Sequence, residues 1–166
     1  MQEIYKQGLL KLDDNSGTSE SETEIYCDGA SSGNPGHAGI GVVIRYKKAH
    51  QPHFTVHKIS EYIGTATNNI AEYQAFLRGL KEACALGLKK IAVFLDSELL
   101  VKQMTGIYKV KNSNLKDLWL QAQNILGKFD AFRITHVGRE FNKEADLLAK
   151  QSIKKFHNTI KNHKKG

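Results

Sequence analysis

The stretch that decides the fold is "KKIAVFLD", residues 89–96. Ile91 to Leu95 are apolar without a break, so a strand there has no polar side. Such a run is the pattern of a parallel strand covered on both faces. Asp96 ends it. A strand of this kind needs helices packed against it, and both flanks supply them. Upstream, Ile70, Tyr73, Leu77, Leu80 and Cys84 recur at helical spacing between Thr67 and about Ala85. Thr67, Asn68 and Asn69 are the candidate caps of that helix. Downstream, a short helix is expected from Ser97 to about Met104. Another starts near Ser113 and carries Leu115, Leu118, Trp119 and Ala122.

Further out, "TEIYCDGA" (23–30), "AGIGVVIRY" (38–46) and "PHFTVHKISEYIG" (52–64) read as three strands of an antiparallel meander. Between the first two, "NPGH" fits a turn with Pro35 second and Gly36 third. "AFRITHV" (131–137) reads as a fifth strand. Asn142 can cap a last helix running to about Phe156. The order is β-β-β-α-β-α-α-β-α. Strands four and five reach the sheet through helices, so they should run parallel to strand one. The fold class is therefore α/β: a mixed five-stranded sheet, three antiparallel strands then two parallel, with helices on both faces. Residues 1–24 read as an N-terminal appendage and polar linker, 25–156 as the domain, and 157–166 as a basic C-terminal tail.

The chain has 166 residues and a net charge of +7. Residues 1–24 carry −4 and residues 150–166 carry +6. The residues between carry +5, and a sequence pI near 9.3 points to a polyanionic partner. The two cysteines, Cys27 and Cys84, form no CxxC pair, which fits a reduced, cytoplasmic protein. No apolar run approaches the ~18 residues of a membrane span, and no signal-peptide core is visible. No membrane partner is expected, and the chain is read as a monomer. There is no GxxxxGK[ST] loop, and "GIGVVI" lacks the third glycine of a dinucleotide fingerprint. His53 and His57 are four apart but on a strand, which is poor spacing for zinc.

The chemistry lies in four acids. Asp28 ends the first strand and Asp96 the fourth. In open α/β sheets, ligands collect at the carboxyl ends of parallel strands. Glu72 and Asp146 sit in the first turns of two helices that start at the same edge. Singly, each acid has an ordinary explanation: a turn-starter, a cap, or an acid facing a helix dipole. Together, four carboxylates in a small space repel one another and raise each other's pKa. Cations make such a cluster tolerable, and hard oxygen ligands suit Mg²⁺ or Mn²⁺. Two such ions can clamp a phosphodiester. The small residues of "GASSGNPG" (29–36) leave room for a phosphate chain to pass.

"YCDGASSGNPGHAGIG", "TNNIAEYQAFLRGL", "VFLDSELLVKQM" and "HVGREFNKEADLLAK" occur in the order found in type I ribonuclease H, and the chain from about Thr23 to Phe156 resembles that family. The resemblance implies a ribonuclease H-like fold. It also implies cleavage of the RNA strand of RNA/DNA hybrids, leaving 5′-phosphate and 3′-hydroxyl ends. Two Mg²⁺ ions, or Mn²⁺ in their place, would be held by Asp28, Glu72, Asp96 and Asp146. It further implies RNA contacts at Gly29, Asn34 and Asn69, and a DNA-strand phosphate at Thr67.

Three departures qualify the match. The loop that carries a catalytic histidine in many relatives is too short here, as in the family's shorter branch. His136 falls inside the fifth strand and is read as structural. Arg139 is the candidate for an auxiliary role at the product phosphate, and it cannot be a general base because it stays protonated. Glu98 stands where many relatives have an RNA-contacting glutamine. The basic protrusion of some relatives is missing, and the lysines of 150–166 are a possible replacement. The alternative reading is a non-catalytic module that binds hybrids or double-stranded RNA on the same fold.

Overall fold

The computed structural model describes residues 23–48 and 50–163. Its elements, in chain order, are β1 (Thr23–Ser31), β2 (Gly36–Lys47), β3 (Phe54–Ala66), α1 (Asn68–Ala85), β4 (Lys90–Leu95), α2 (Glu98–Met104), α3 (Ser113–Leu126), β5 (Ala131–His136) and α4 (Lys143–His163). A single 3₁₀ turn, Arg139–Phe141, precedes α4. The strand order in the sheet is β3-β2-β1-β4-β5. β1 pairs antiparallel with β2 and parallel with β4, and β4 pairs parallel with β5. The element order and strand directions read from the sequence are the ones observed. The expected N-terminal appendage lies almost wholly outside the described residues.

Side chains alternate across the sheet with the strand period of two. Ile25, Cys27, Val42 and Ile44 face α1, whose buried Tyr73, Phe76 and Leu80 close over them. Leu100 and Met104 of α2 and Leu115, Ala122 and Leu126 of α3 complete this core. On the other face, α4 lies against β2 so closely that glycine is required. A Cβ at Gly41 would overlap the Ala145 carbonyl, and one at Gly39 would overlap the Ser152 hydroxyl. Gly41→Ala is therefore expected to destabilise the protein by about 3 kcal/mol, since backbone atoms of a packed helix cannot step aside. A urea midpoint that does not fall would contradict this packing.

Two local expectations change. The turn between β1 and β2 is centred on Asn34 and Pro35, joined by a cis peptide bond, and Gly36 already belongs to β2. Ser32 N–H donates to the His37 carbonyl at 2.8 Å and closes this loop. The last helix does not stop near Phe156 but continues to His163. Phe156 stacks on Tyr62 of β3 at 3.7 Å, and His157 meets the edge of His37 on β2 at 4.8 Å. These contacts extend the ordered domain into the segment read as a tail.

Candidate active site

β1 and β4 run side by side with Cys27 opposite Leu95. β1 does not end at Asp28, as the sequence suggested, but runs on to Ser31 because β2 continues to pair with it. It is the β1–β4 pairing that stops at Cys27 and Leu95, so Asp28 and Asp96 are the next residues at the same edge. Thr67 caps α1 there, its hydroxyl accepting from Ile70 N–H. α4 also begins at this edge. A cavity of about 420 Å³ opens between these elements, and its lining includes Asp28, Glu72, Asp96, Asp146, Arg139 and Lys150. The four acids picked from the sequence therefore share one cleft.

Each carboxylate is held differently. Glu72 accepts from the Ser97 hydroxyl at 2.6 Å and from Asn68 Nδ2 at 3.0 Å. Burial raises its pKa, and the Ser97 hydrogen bond opposes the rise. Asp96 accepts from Asn142 Nδ2 at 3.1 Å, with Arg139 Nε 3.9 Å from its other oxygen. Asp146 pairs with Lys150 Nζ at 2.7 Å. Among the described residues, Asp28 is flanked by its fellow acids. Burial first, then the charges of Asp96 and Asp146 and a hydrogen bond with Asp146, push its carboxyl up to about 8.

The donor set is all oxygen and strongly anionic, which fits hard divalent ions. Among the described residues, no three His, Cys, Asp or Glu side chains are drawn together tightly enough to hold an ion as they stand. Glu72, Asp96 and Asp146 are each held by donors of their own. An ion would replace those partners.

The remaining candidates divide. Gly29 lines the cleft, and it also lies where a Cβ would overlap the Ala71 and Glu72 backbone. Its smallness serves the β1–α1 approach whether or not a ligand passes. Asn34 Oδ1 accepts from Asn68 N–H at 3.1 Å, tying the β1–β2 loop to the start of α1. Thr67 and Asn69 stand on that same helix start, but it is Asn68 that lines the cleft. Arg139 projects over the cleft with its side chain 94% exposed. His136 ends β5, where its Nε2 donates to the Asp96 backbone carbonyl at 3.3 Å. Glu98 is drawn away to Lys102 at 2.6 Å.

One residue escaped the sequence reading. Asn142 has the position of a helix cap, and its carbonyl accepts from Asp146 N–H. Its side chain turns inward instead. Nδ2 donates to the Cys27 carbonyl at 2.9 Å and to Asp96 Oδ1, and the residue is 1% exposed. Nothing in "FNKEAD" separates this use from ordinary capping, because Cys27 and Asp96 are far away in the chain.

A mixed sheet in this order, with acids gathered where the pairing of two adjacent parallel strands stops, is the layout of the ribonuclease H-like fold. Comparison with known proteins agrees. The family model described as reverse transcriptase-like matches residues 26–152. Ribonuclease H of Pelobacter propionicus is 32% identical over 150 residues, covering 80% of this chain and 85% of that protein. Ribonuclease HI of Halobacterium salinarum is 38% identical over 128 residues, covering 77% and 62%. The crystal structure of RNase H1 from that archaeon superposes with a TM-score of 0.73 at 36% identity, over 81% of this chain and 99% of that one. The bifunctional protein Rv2228c of Mycobacterium tuberculosis is 42% identical over 130 residues, and the chain spans about a third of its length, 35%. The chain belongs to the type I ribonuclease H family.

Proposed function

We propose that this chain is a metal-dependent endoribonuclease that cuts the RNA strand of RNA/DNA hybrids and leaves 5′-phosphate and 3′-hydroxyl ends. The observation that carries the reading is the meeting of Asp28, Glu72, Asp96 and Asp146 in one cleft. A related RNase H1, LC11, 38% identical with a TM-score of 0.71 over 81% of this chain and 98% of that one, has been solved in complex with an RNA/DNA hybrid. That supports the same substrate class here.

The four carboxylates would hold Mg²⁺, or Mn²⁺ in its place. Bound there, two divalent ions supply an activated water and stabilise the leaving oxygen of a phosphodiester. The chain's own residues set the stage. Ser97 and Asn68 fix Glu72, and Asn142 fixes Asp96. Burial and its acidic neighbours raise the Asp28 carboxyl, and a bound cation would favour its charged form. Arg139, always protonated, holds a fixed positive charge beside the cleft, suited to drawing off a product phosphate. Gly29, Asn34, Thr67 and Asn69 form the adjoining rim, where RNA and DNA backbones would rest.

A hybrid labelled in turn on each strand tests this reading, beside double-stranded DNA and double-stranded RNA. The expected result is shortening of the RNA label alone, in Mg²⁺ or Mn²⁺, abolished by EDTA, with double-stranded DNA untouched. Tight hybrid binding with no cutting in either metal would replace the enzyme with a binding module.

A further inference from the structure

We propose that the exposed face of α4 is a phosphate-binding track that carries the sugar–phosphate backbone of the same hybrid away from the cleft. The proposal rests on the hybrid reading above. Lys143, Lys150, Lys154 and Lys161 are all exposed. At 100° per residue they fall within about 20° of one line, along about 27 Å of helix. The first two line the cleft itself. The row therefore begins at the site and leads out of it.

Helix stability does not explain the row. Lysine is favourable near a helix C-terminus and unfavourable in the first turn. Lys161 obeys that rule, whereas Lys143 is the first residue of α4. Lys150 and Lys154 are like charges at i, i+4, which repel. A solvated helix face usually alternates acids with bases, yet no acid follows Asp146 in the chain. Lys150 pairs with Asp146, and among the described residues no carboxylate pairs with Lys154 or Lys161. The face is left positive over its whole length.

The far end of the track is braced. Phe156 stacks on Tyr62, and the Tyr62 hydroxyl shares a 2.6 Å hydrogen bond with His37 Nδ1. His37 is the second residue of β2, beside the loop that carries Asn34. The brace thus holds the last turns of α4 at the same edge of the sheet as the cleft. A backbone leaving the cleft along α4 would meet an ordered row of ammonium groups in place of a frayed end.

The test is a double variant of the full chain, Lys154→Ala with Lys161→Ala. Its control is Lys89→Ala with Lys128→Ala, two exposed lysines at the opposite end of the sheet with the same change in net charge. Binding is read by fluorescence anisotropy on a hybrid of about 24 base pairs across a salt series, in an Asp28→Asn background so that nothing is cut. Each lost phosphate contact lowers the salt slope by about one. The α4 pair should therefore lower it by about two and weaken low-salt binding roughly tenfold, with the control unchanged. In the cleaving protein, KM for the long hybrid should rise while kcat holds. A hybrid of about 8 base pairs, too short to follow the helix, should show no difference. Equal behaviour of the two double variants, or a loss as large on the short hybrid, overturns the track. Absence of cleavage by the wild type would refute the enzymatic reading instead, and the anisotropy series would still judge the track.

Discussion

Asp28→Asn is expected to abolish hybrid cleavage and, without divalent ions at pH 8, to make the protein more stable. The first effect follows from the proposed two-ion clamp. A metal centre contributes several kcal/mol of transition-state stabilisation, and at 1.36 kcal/mol per tenfold its loss lowers kcat by on the order of 10³ or more. The second follows from the proton. An ordinary aspartate titrates near 3.8, and burial beside Asp96 and Asp146 pushes Asp28 up to about 8. Between those values the folded protein keeps a proton that the unfolded chain has released. Raising pH then favours the unfolded chain. Stability linked to Asp28 is full below 3.8 and is lost steadily as pH rises to about 8. Asparagine is neutral throughout, so the variant escapes that loss. In EDTA its melting temperature should match the wild type near pH 4 and exceed it by roughly 5 °C at pH 8. Mg²⁺ should shrink the gap, because an ion that binds only the folded wild type raises its stability by mass action. Parallel pH profiles for the two proteins in EDTA would mean that Asp28 does not sit among repelling acids.

What could be read in advance depended on how far each signal reached along the chain. The apolar run Ile91–Leu95 and the helical spacing from Ile70 to Cys84 are local patterns, and they placed β4 and α1. Asp28 and Asp96 were legible because a parallel pair must end at one edge, whatever the register. Glu72 and Asp146 needed only the direction of their helices. Most of the misses depend on contacts between distant segments. The end of α4 at His163 depends on Tyr62 and His37, about a hundred residues earlier. Asn68 and Asn69 are equal as caps, and only the packed helix shows that Asn68 points at Glu72. The second use of Gly29, the close approach of Ala71, is invisible until α1 is docked. Asn142 is the same kind of miss, since capping is a local use and its side chain serves a remote one.

Asn142→Ala is expected to lower kcat about 10- to 100-fold with KM for the hybrid unchanged, the effect of releasing a carboxylate that a buried partner had oriented. It should also cost about 1–3 kcal/mol in stability, because the Cys27 carbonyl and Asp96 Oδ1 lose their shared donor in a buried place. The amide orientation is fixed by chemistry: both partners are acceptors, so nitrogen must face them. The amide Oδ1 is left buried without a partner, itself a penalty, which makes filling space a poor account of the residue. Asn142→Asp separates the two roles. It keeps the shape of asparagine, so a packing role predicts that it outperforms alanine. If the amide orients Asp96, the new carboxylate instead sets oxygen against oxygen at both contacts and adds a like charge beside Asp96. Activity should then fall below that of Asn142→Ala, and the Mg²⁺ concentration for half-maximal thermal stabilisation should shift upward in both. Near-normal activity in Asn142→Asp would return Asn142 to the ordinary task of starting a helix.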